Sequence, residues 1–328
     1  MALKYDVEAD WTLLTACNYR CAYCFYSPGK LSVPLQAHAS AKQWAEGFDA
    51  TGRTWLIHMT GGEPTIYPGF VDLCRNLSRN HFLSFNTNLA GNCCEAFAET
   101  IDPQRVSFIH AALHYEEREK RNSFDLFVRR AIDLRFRGFN VMLTMVMTPD
   151  IIRLYPEISA RLASHGLPCI PKIMRGRNWN GKNYPDAYAD EEKVFFLRYL
   201  ADAAQAYEPL ISAMDEPPTV DFFADGRFID EIPSYLGKRC GSGSKFVWID
   251  PIGVVRRCVY GSNLGNILKK NVKLLSAPAP CMGSGCHYFC EKYTSAAYVG
   301  RQPLSSITIN RLISFLRGKS RTANHQLS

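Results

Sequence analysis

Short apolar, β-branched runs alternate with stretches of helical spacing through the first two thirds of the chain. Strand-length runs fall at Trp11–Thr15, Trp55–Thr60, Phe82–Asn86, Val106–Leu113, Val141–Met147 and Cys169–Met174. Segments of helical spacing follow them at Pro34–Ala50, Gly69–Arg79, Glu95–Thr100, Ser123–Arg137, Arg153–Ser164 and Asp190–Tyr207. The pattern predicts six βα units, and therefore a parallel sheet with right-handed crossovers, covered by helices. Periodicity leaves a barrel or partial barrel and an open doubly wound sheet as alternatives. In both, chemistry collects at the C-terminal ends of the strands.

The unusual residues recur at those ends. Cys17, Cys21 and Cys24 follow the first predicted strand, Met59–Pro68 (MTGGEPTIYP) the second and Asn86–Leu89 (NTNL) the third. His110 to Arg118 close the fourth, and the basic loop RGRNW (175–179) follows the sixth. One such loop could be chance. Repetition at strand after strand is hard to explain as packing.

Length and composition narrow the class. A chain of 328 residues suggests about two domains at roughly 150 residues each, enough to bury a core without metals or disulfides. With 47% apolar and 21% charged residues it is an ordinary globular sequence, which excludes disorder, collagen and coiled coil. The N-terminus carries acids where a signal peptide needs a basic stretch and an apolar run, and no run of about 18 apolar residues occurs. These features predict a cytoplasmic protein without membrane contact. In a reducing compartment, clustered thiols are metal ligands sooner than disulfides.

Twelve cysteines make that distinction matter. Three form a knot at Cys17, Cys21 and Cys24, and five lie in the C-terminal third at Cys240, Cys258, Cys281, Cys286 and Cys290. Cys74, Cys93, Cys94 and Cys169 stand in apolar or loop-like surroundings and read as small packed hydrophobes. Thiolates spaced as in the knot wrap one metal centre, and iron–sulfur clusters favour sulfur-only ligation. A cubane usually takes four protein ligands, so three thiols with no fourth nearby leave one iron open. A zinc site completed by a distant histidine or cysteine is the alternative.

With Tyr23 beside its last cysteine, this knot resembles the signature of the radical SAM superfamily, and Gly61, Gly62, Glu63 and Pro64 resemble that family's GGEP motif. The resemblance implies a partial (β/α)6 barrel of the TIM type, whose [4Fe–4S] cluster binds S-adenosylmethionine through its open iron. The two glycines would let a backbone edge approach a ligand, and Glu63 would pair with the cofactor's ammonium. Asn86, Thr87 and Asn88 resemble a segment that reaches the ribose or methionine in relatives, or else close the strand as an Asx turn. Two readings also stand for the fourth strand's end. His110 and His114 are packed residues or site residues, and Arg118 and Arg121 either grip the cofactor carboxylate or open a solvated helix. Lys172, Arg175 and Arg177 bind cofactor or an anionic substrate, or simply belong to a basic surface.

The C-terminal third has its own signature. Cys240 and Cys258 flank a hairpin with strands Lys245–Ile249 and Val254–Val259, and Cys240-x12-Gly253-x4-Cys258 resembles the opening of SPASM and twitch auxiliary-cluster domains. Asn263–Leu268 (NLGNIL) resembles their continuation. The closing run holds three cysteines where SPASM has four, which favours the shorter twitch version with one auxiliary [4Fe–4S] cluster. Cys240 and Cys258 are its firmer ligands, joined by two of Cys281, Cys286 and Cys290. Zinc, or free structural cysteines, is the alternative there. The resulting division is 1–208 for the barrel, 209–300 for the auxiliary domain and 301–328 for a tail.

The resemblance implies reductive cleavage of S-adenosylmethionine to a 5′-deoxyadenosyl radical that abstracts a hydrogen atom, with a reductase such as flavodoxin or ferredoxin as electron donor. Oxidation and epimerisation both follow, with Cys281, Cys286, Cys290, His114 and Arg175 as candidate catalytic residues. No leader-peptide recognition domain is evident before residue 10, which favours a small molecule such as a sugar, cyclitol or amino-acid derivative. Modification of a peptide is the alternative, as is a nucleic acid, which the charge of +7 admits although it is spread along the chain. A non-enzymatic scaffold fits poorly with an open-site triplet beside GGEP.

Overall fold

The structure is a computed structural model that describes residues 3–214, 220, 222–230, 234–286 and 293. Its elements in chain order are β1 (Val7–Leu14), α1 (Pro28–Leu31), α2 (Ala41–Asp49), β2 (Trp55–Gly61), α3 (Phe70–Leu77), β3 (Phe82–Thr87), α4 (Cys94–Thr100) and β4 (Val106–Ala112). There follow α5 (Tyr115–Lys120), α6 (Phe124–Phe136), β5 (Val141–Met147), α7 (Pro149–Ala163), β6 (Cys169–Ile173), β7 (Gly176–Trp179), β8 (Lys182–Tyr184) and α8 (Asp190–Ser212). The C-terminal part adds β9 (Arg239–Cys240), β10 (Phe246–Ile249), β11 (Val254–Arg256), β12 (Asn263–Asn266) and β13 (Ala279–Pro280).

Strands β1 to β6 are parallel and pair in strict sequential order. That order resolves the alternative left by periodicity. A doubly wound sheet reverses direction at a switch point, whereas crossovers of one hand that always step the same way keep every helix on one face and curl the sheet into a barrel. Among the described residues β1 and β6 do not pair, so the barrel is partial.

The outer face is apolar and aromatic. Trp11 packs on Trp44 of α2 with ring centroids 4.6 Å apart and on Phe48 at 5.6 Å, while Trp55 meets Phe48 edge-on at 5.5 Å. Such pairs add about 0.5–1.5 kcal/mol each beyond their buried area. Two helices start away from their expected positions because of their caps. Ser40 and Gln43 form a capping box, so α2 begins at Ala41 and not at Pro34. Thr148 caps Ile151 with Pro149 in the first turn, so α7 begins four residues before Arg153.

The other strand face is polar. Asp10 accepts from Thr60 Oγ1 at 2.8 Å, Glu8 stands 3.5 Å from His58, His58 bonds Ser84, and His110 bonds Thr144. Glu8, Asp10, His58, Ser84 and Thr144 are buried, and Thr60 and His110 half-buried, between the strands at alternate positions. The auxiliary hairpin is not detached from this sheet. β10 pairs in parallel with β1, Glu8 opposite Phe246 through Trp11 opposite Ile249, and β11 and β12 extend it to nine strands. The segment boundary near residue 209 is thus one of sequence, and the sheet continues across it.

Candidate functional site

The loop carrying Cys17, Cys21 and Cys24 is held from three strand ends. Gly62 N–H donates to Leu14 O at 2.9 Å and Glu63 N–H to Ala16 O at 3.0 Å, so the end of β2 pairs with the loop's entry. A Cβ on Gly61 would strike Leu14 O, and one on Gly62 the carbonyl oxygens of Thr15 and Ala16. These glycines therefore serve an approach between backbone segments, one step removed from the approach to a ligand that the sequence suggested. From β3, Asn88 Nδ2 donates to Asn18 Oδ1 at 2.8 Å. From α5, Glu117 accepts the Arg20 N–H at 3.3 Å and Arg121 at 3.2 Å, and Arg121 also donates to Asn18 O at 3.2 Å.

The thiols themselves are half-buried. Burial pushes Cys17 up to about 11 and Cys21 up to about 12, and a Cys24 thiolate would raise both further. An apo loop at neutral pH therefore carries thiols, and metal binding must displace their protons. Among the described residues no three His, Cys, Asp or Glu side chains gather tightly round one point as a single metal ion requires. Three thiols on one pinned loop, with no fourth cysteine in it, fit a cubane with one open corner.

Glu63 is gripped by the turns around it. It is buried, and its Oε1 accepts from Thr65 N at 3.0 Å, Thr65 Oγ1 at 2.6 Å and Thr87 Oγ1 at 2.7 Å, while Oε2 accepts from Asn88 N at 2.6 Å. The carboxylate is thus a knot between the turns after β2 and β3. Burial still raises its pKa, and these hydrogen bonds only oppose the rise. Thr87 and Asn88 belong to the same knot, with Asn88 Oδ1 closing an Asx turn onto Ala90 N at 2.8 Å. Asn86 stands one step back in β3, opposite His110 of β4 and half-buried.

Arg118 is fully buried. Its guanidinium donates to Asn88 O and, at 3.1 Å, to Ser123 O, and lies over the rings of Tyr19 at 5.4 Å and Phe127 at 4.9 Å. It clamps β3 to the cysteine loop. Tyr23 Oη and His114 Nδ1 are 2.7 Å apart, which ties the CAYC turn to the end of β4. Burial, and then the Arg118 charge, push His114 down to about 4, and burial with Lys172 pushes His110 down to about 3. Both rings are neutral at ordinary pH.

The basic loop after β6 is already paired. Asp225, from a 3-10 turn at Ala224–Arg227, stands 2.8 Å from Arg175 and 3.1 Å from Lys172, and accepts Ile173 N–H at 2.9 Å. Against its burial, these two cations hold the Asp225 carboxyl below the usual range. Phe222 from the same segment packs edge-on against Phe108 at 5.1 Å and His110 at 5.4 Å. Arg175 and Lys172 thus hold the Asp225 segment against the end of β6. Arg177 lies in β7.

Four thiols meet in the C-terminal part. Cys240, Cys258, Cys281 and Cys286 line one cavity with Ser242, Arg257 and Tyr260. Cys290 falls outside the described residues. The remaining cysteines are packing residues, with Cys74, Cys94 and Cys169 buried and Cys93 half-buried with its thiol on Thr65 O.

Sequence reasoning missed Asp225, Glu117, Asn18 and the interior pair Asp10 and Thr60. One signal was available for the last. In Val7–Thr12 polar residues fall at every second position, Glu8, Asp10 and Thr12, within a strand buried along its whole length. That alternation marks a polar barrel interior, and Glu8 and Asp10 lie before the run Trp11–Thr15, in residues read only for the absence of a signal peptide.

The structure is a partial barrel of six parallel strands, with a three-cysteine loop after the first strand and a glycine-rich edge after the second. The sequence profile described as the Radical SAM superfamily matches residues 11–153, and this part of the chain is a radical SAM domain. Its cofactors are a [4Fe–4S] cluster and S-adenosylmethionine. The chain is 27% identical over 282 residues to the mycofactocin maturase MftC of Mycobacterium tuberculosis (strain H37Rv), covering 81% of this chain and 68% of that protein. Its fold resembles that of anSMEcpe with bound AdoMet, with a TM-score of 0.56, 13% identity, and coverage of 98% of this chain and 96% of that one. It also resembles Streptococcus suis SuiB bound to the precursor peptide SuiA, with a TM-score of 0.52, 14% identity, and coverage of 81% and 63%. No described helix is long and apolar enough to cross a membrane.

Proposed function

We propose that this radical SAM enzyme modifies a peptide side chain or backbone. The observation that carries this reading is the similarity to a maturase along 81% of the chain. It replaces the small-molecule substrate favoured by the sequence alone, which rested on the lack of an evident recognition domain and has no support among the relatives named above.

Cys17, Cys21 and Cys24 would hold the first cluster. When bound, that cluster supplies the electron that cleaves S-adenosylmethionine to the radical which takes a hydrogen atom from substrate. The protein's part is placement and exclusion. Glu63, Thr87, Asn88 and Arg118 fix the loops that would surround the cofactor, and Asn86, near the end of β3, would contact it. Tyr23 and His114 orient the turn between Cys21 and Cys24, with the neutral imidazole adding no charge beside the cluster. Phe222 and the Asp225 ion pairs hold one chain segment against β4 and β6. Cys240, Cys258, Cys281 and Cys286 would hold the auxiliary cluster, and a reductase such as flavodoxin or ferredoxin would supply electrons.

The test is anaerobic incubation of the reconstituted protein with dithionite and S-adenosylmethionine, against a random peptide library and, separately, a panel of sugars, cyclitols and amino acids. The reading expects 5′-deoxyadenosine above the substrate-free rate only with peptide, together with a change in peptide mass. Stimulation by the small-molecule panel alone would contradict it.

A further inference from the structure

Arg257 is 6% exposed and lies in the wall of the four-thiol cavity. Its Nε donates to Ser242 O at 2.8 Å, Nη1 to Pro280 O at 2.6 Å, and Nη2 to Ala279 O and, at 3.5 Å, to Cys240 O. The Ser242 hydroxyl donates back to Arg257 O. These carbonyls belong to the segment leaving Cys240 and to the one entering Cys281, and Arg257 itself precedes Cys258. One guanidinium therefore spans the backbone that carries three of the four thiols, across the short ladder in which Ala279 faces Cys240.

All four acceptors are neutral. Among the described residues no carboxylate pairs with Arg257, and a buried cation without a counter-ion is costly. The groups able to supply negative charge are the thiols across the cavity. Four thiolates round an oxidised [4Fe–4S] core carry a net charge of about −2, which becomes about −3 on reduction. A fixed cation beside them stabilises the more negative state more strongly.

We propose that Arg257 is a positioning residue for the auxiliary cluster, clamping the ligand-bearing segments and supplying the charge that makes the bound cluster easier to reduce. The proposal rests on the auxiliary-cluster reading above. It goes beyond that reading in giving the cluster a raised potential, suited to accepting an electron.

Arg257→Gln and Arg257→Lys are prepared in a chain whose first cluster is removed by Cys17→Ala, Cys21→Ala and Cys24→Ala, leaving about four irons per chain. Iron is counted, and the midpoint is read by EPR-monitored titration. Arg257→Gln is expected to lower the reduced-to-oxidised ratio at a given potential about tenfold, ~59 mV for one electron. Arg257→Lys, which keeps the charge, is expected to stay near the parent. An unchanged midpoint in Arg257→Gln, or an equal shift in both, overturns the proposal. If Arg257→Gln holds no iron, Arg257→Lys decides: a parental midpoint supports the charge, and iron loss from both leaves Arg257 a folding role only. A parent chain that binds no iron overturns the auxiliary-cluster reading itself, and this inference with it.

Discussion

Glu63 Oε2 accepts the backbone N–H of Asn88 at 2.6 Å, which ties the turn after β2 to the turn after β3. Its other oxygen takes three further donors from Thr65 and Thr87. Glu63→Gln keeps the shape but turns an NH2 group toward at least one backbone N–H. The expected loss is about 1–3 kcal/mol of stability, with fewer irons retained at the first cluster. Anaerobic thermal denaturation and iron analysis read both. An unchanged midpoint temperature would mean that the knot is dispensable.

Gly62→Ala tests the approach of β2 to the cysteine loop. The added methyl collides with the carbonyls of Thr15 and Ala16, which belong to backbone and cannot step aside. Loss of iron from the first cluster is expected, with at least about 2 kcal/mol of destabilisation. Gly69→Ala is the control. It has a φ of 75° and open space around it, so about 1–2 kcal/mol from the left-handed backbone alone is expected, with iron content intact.

Much of this site was legible in the sequence, because the signals are local. Cys17, Cys21 and Cys24 lie within one turn-rich segment, and Gly61–Pro64 follows a strand that its own periodicity announces. Residues that act over long chain distances were not legible. Asp225 reaches Lys172 and Arg175 from beyond α8, and Glu117 reaches Arg20 from another βα unit. Arg118 was visible as a cation, but its burial between Tyr19 and Phe127 depends on packing that no spacing encodes. The carboxylate of Glu63 illustrates the same limit. The motif marked the residue, and only the fold shows which donors surround it.

Asp225→Asn leaves Lys172 and Arg175 without their shared carboxylate. The expected loss is about 3 kcal/mol, the low end for a broken buried pair because the two cations keep 21% and 26% of their side chains exposed. Arg175→Ala leaves Lys172 to compensate and should cost about 1 kcal/mol, with peptide KM changed less than about threefold. A large rise in KM with stability unchanged would return Arg175 to substrate binding.

His110 and His114 make the fold sensitive to acid. Their folded pKa values are depressed, to about 3 and about 4, so their contribution is fully present above the unfolded value near 6.5 and is lost as pH falls toward those folded values. Between about pH 6 and pH 4 the unfolded chain binds protons that the folded one refuses, and each ring steepens the decline by up to about 1.4 kcal/mol per pH unit. Urea denaturation of the apo protein across this window measures the slope. His110→Gln and His114→Gln should each flatten it, and a slope equal to that of the parent would contradict the neutral, buried assignment.

The most direct test of the central claim is the anaerobic formation of 5′-deoxyadenosine from S-adenosylmethionine under dithionite, in the parent chain and in Cys24→Ala. The account predicts about eight irons in the parent and about four in the variant, with turnover only in the parent. A parent that holds its iron yet yields no 5′-deoxyadenosine, or a Cys24→Ala chain that yields as much as the parent, would contradict it.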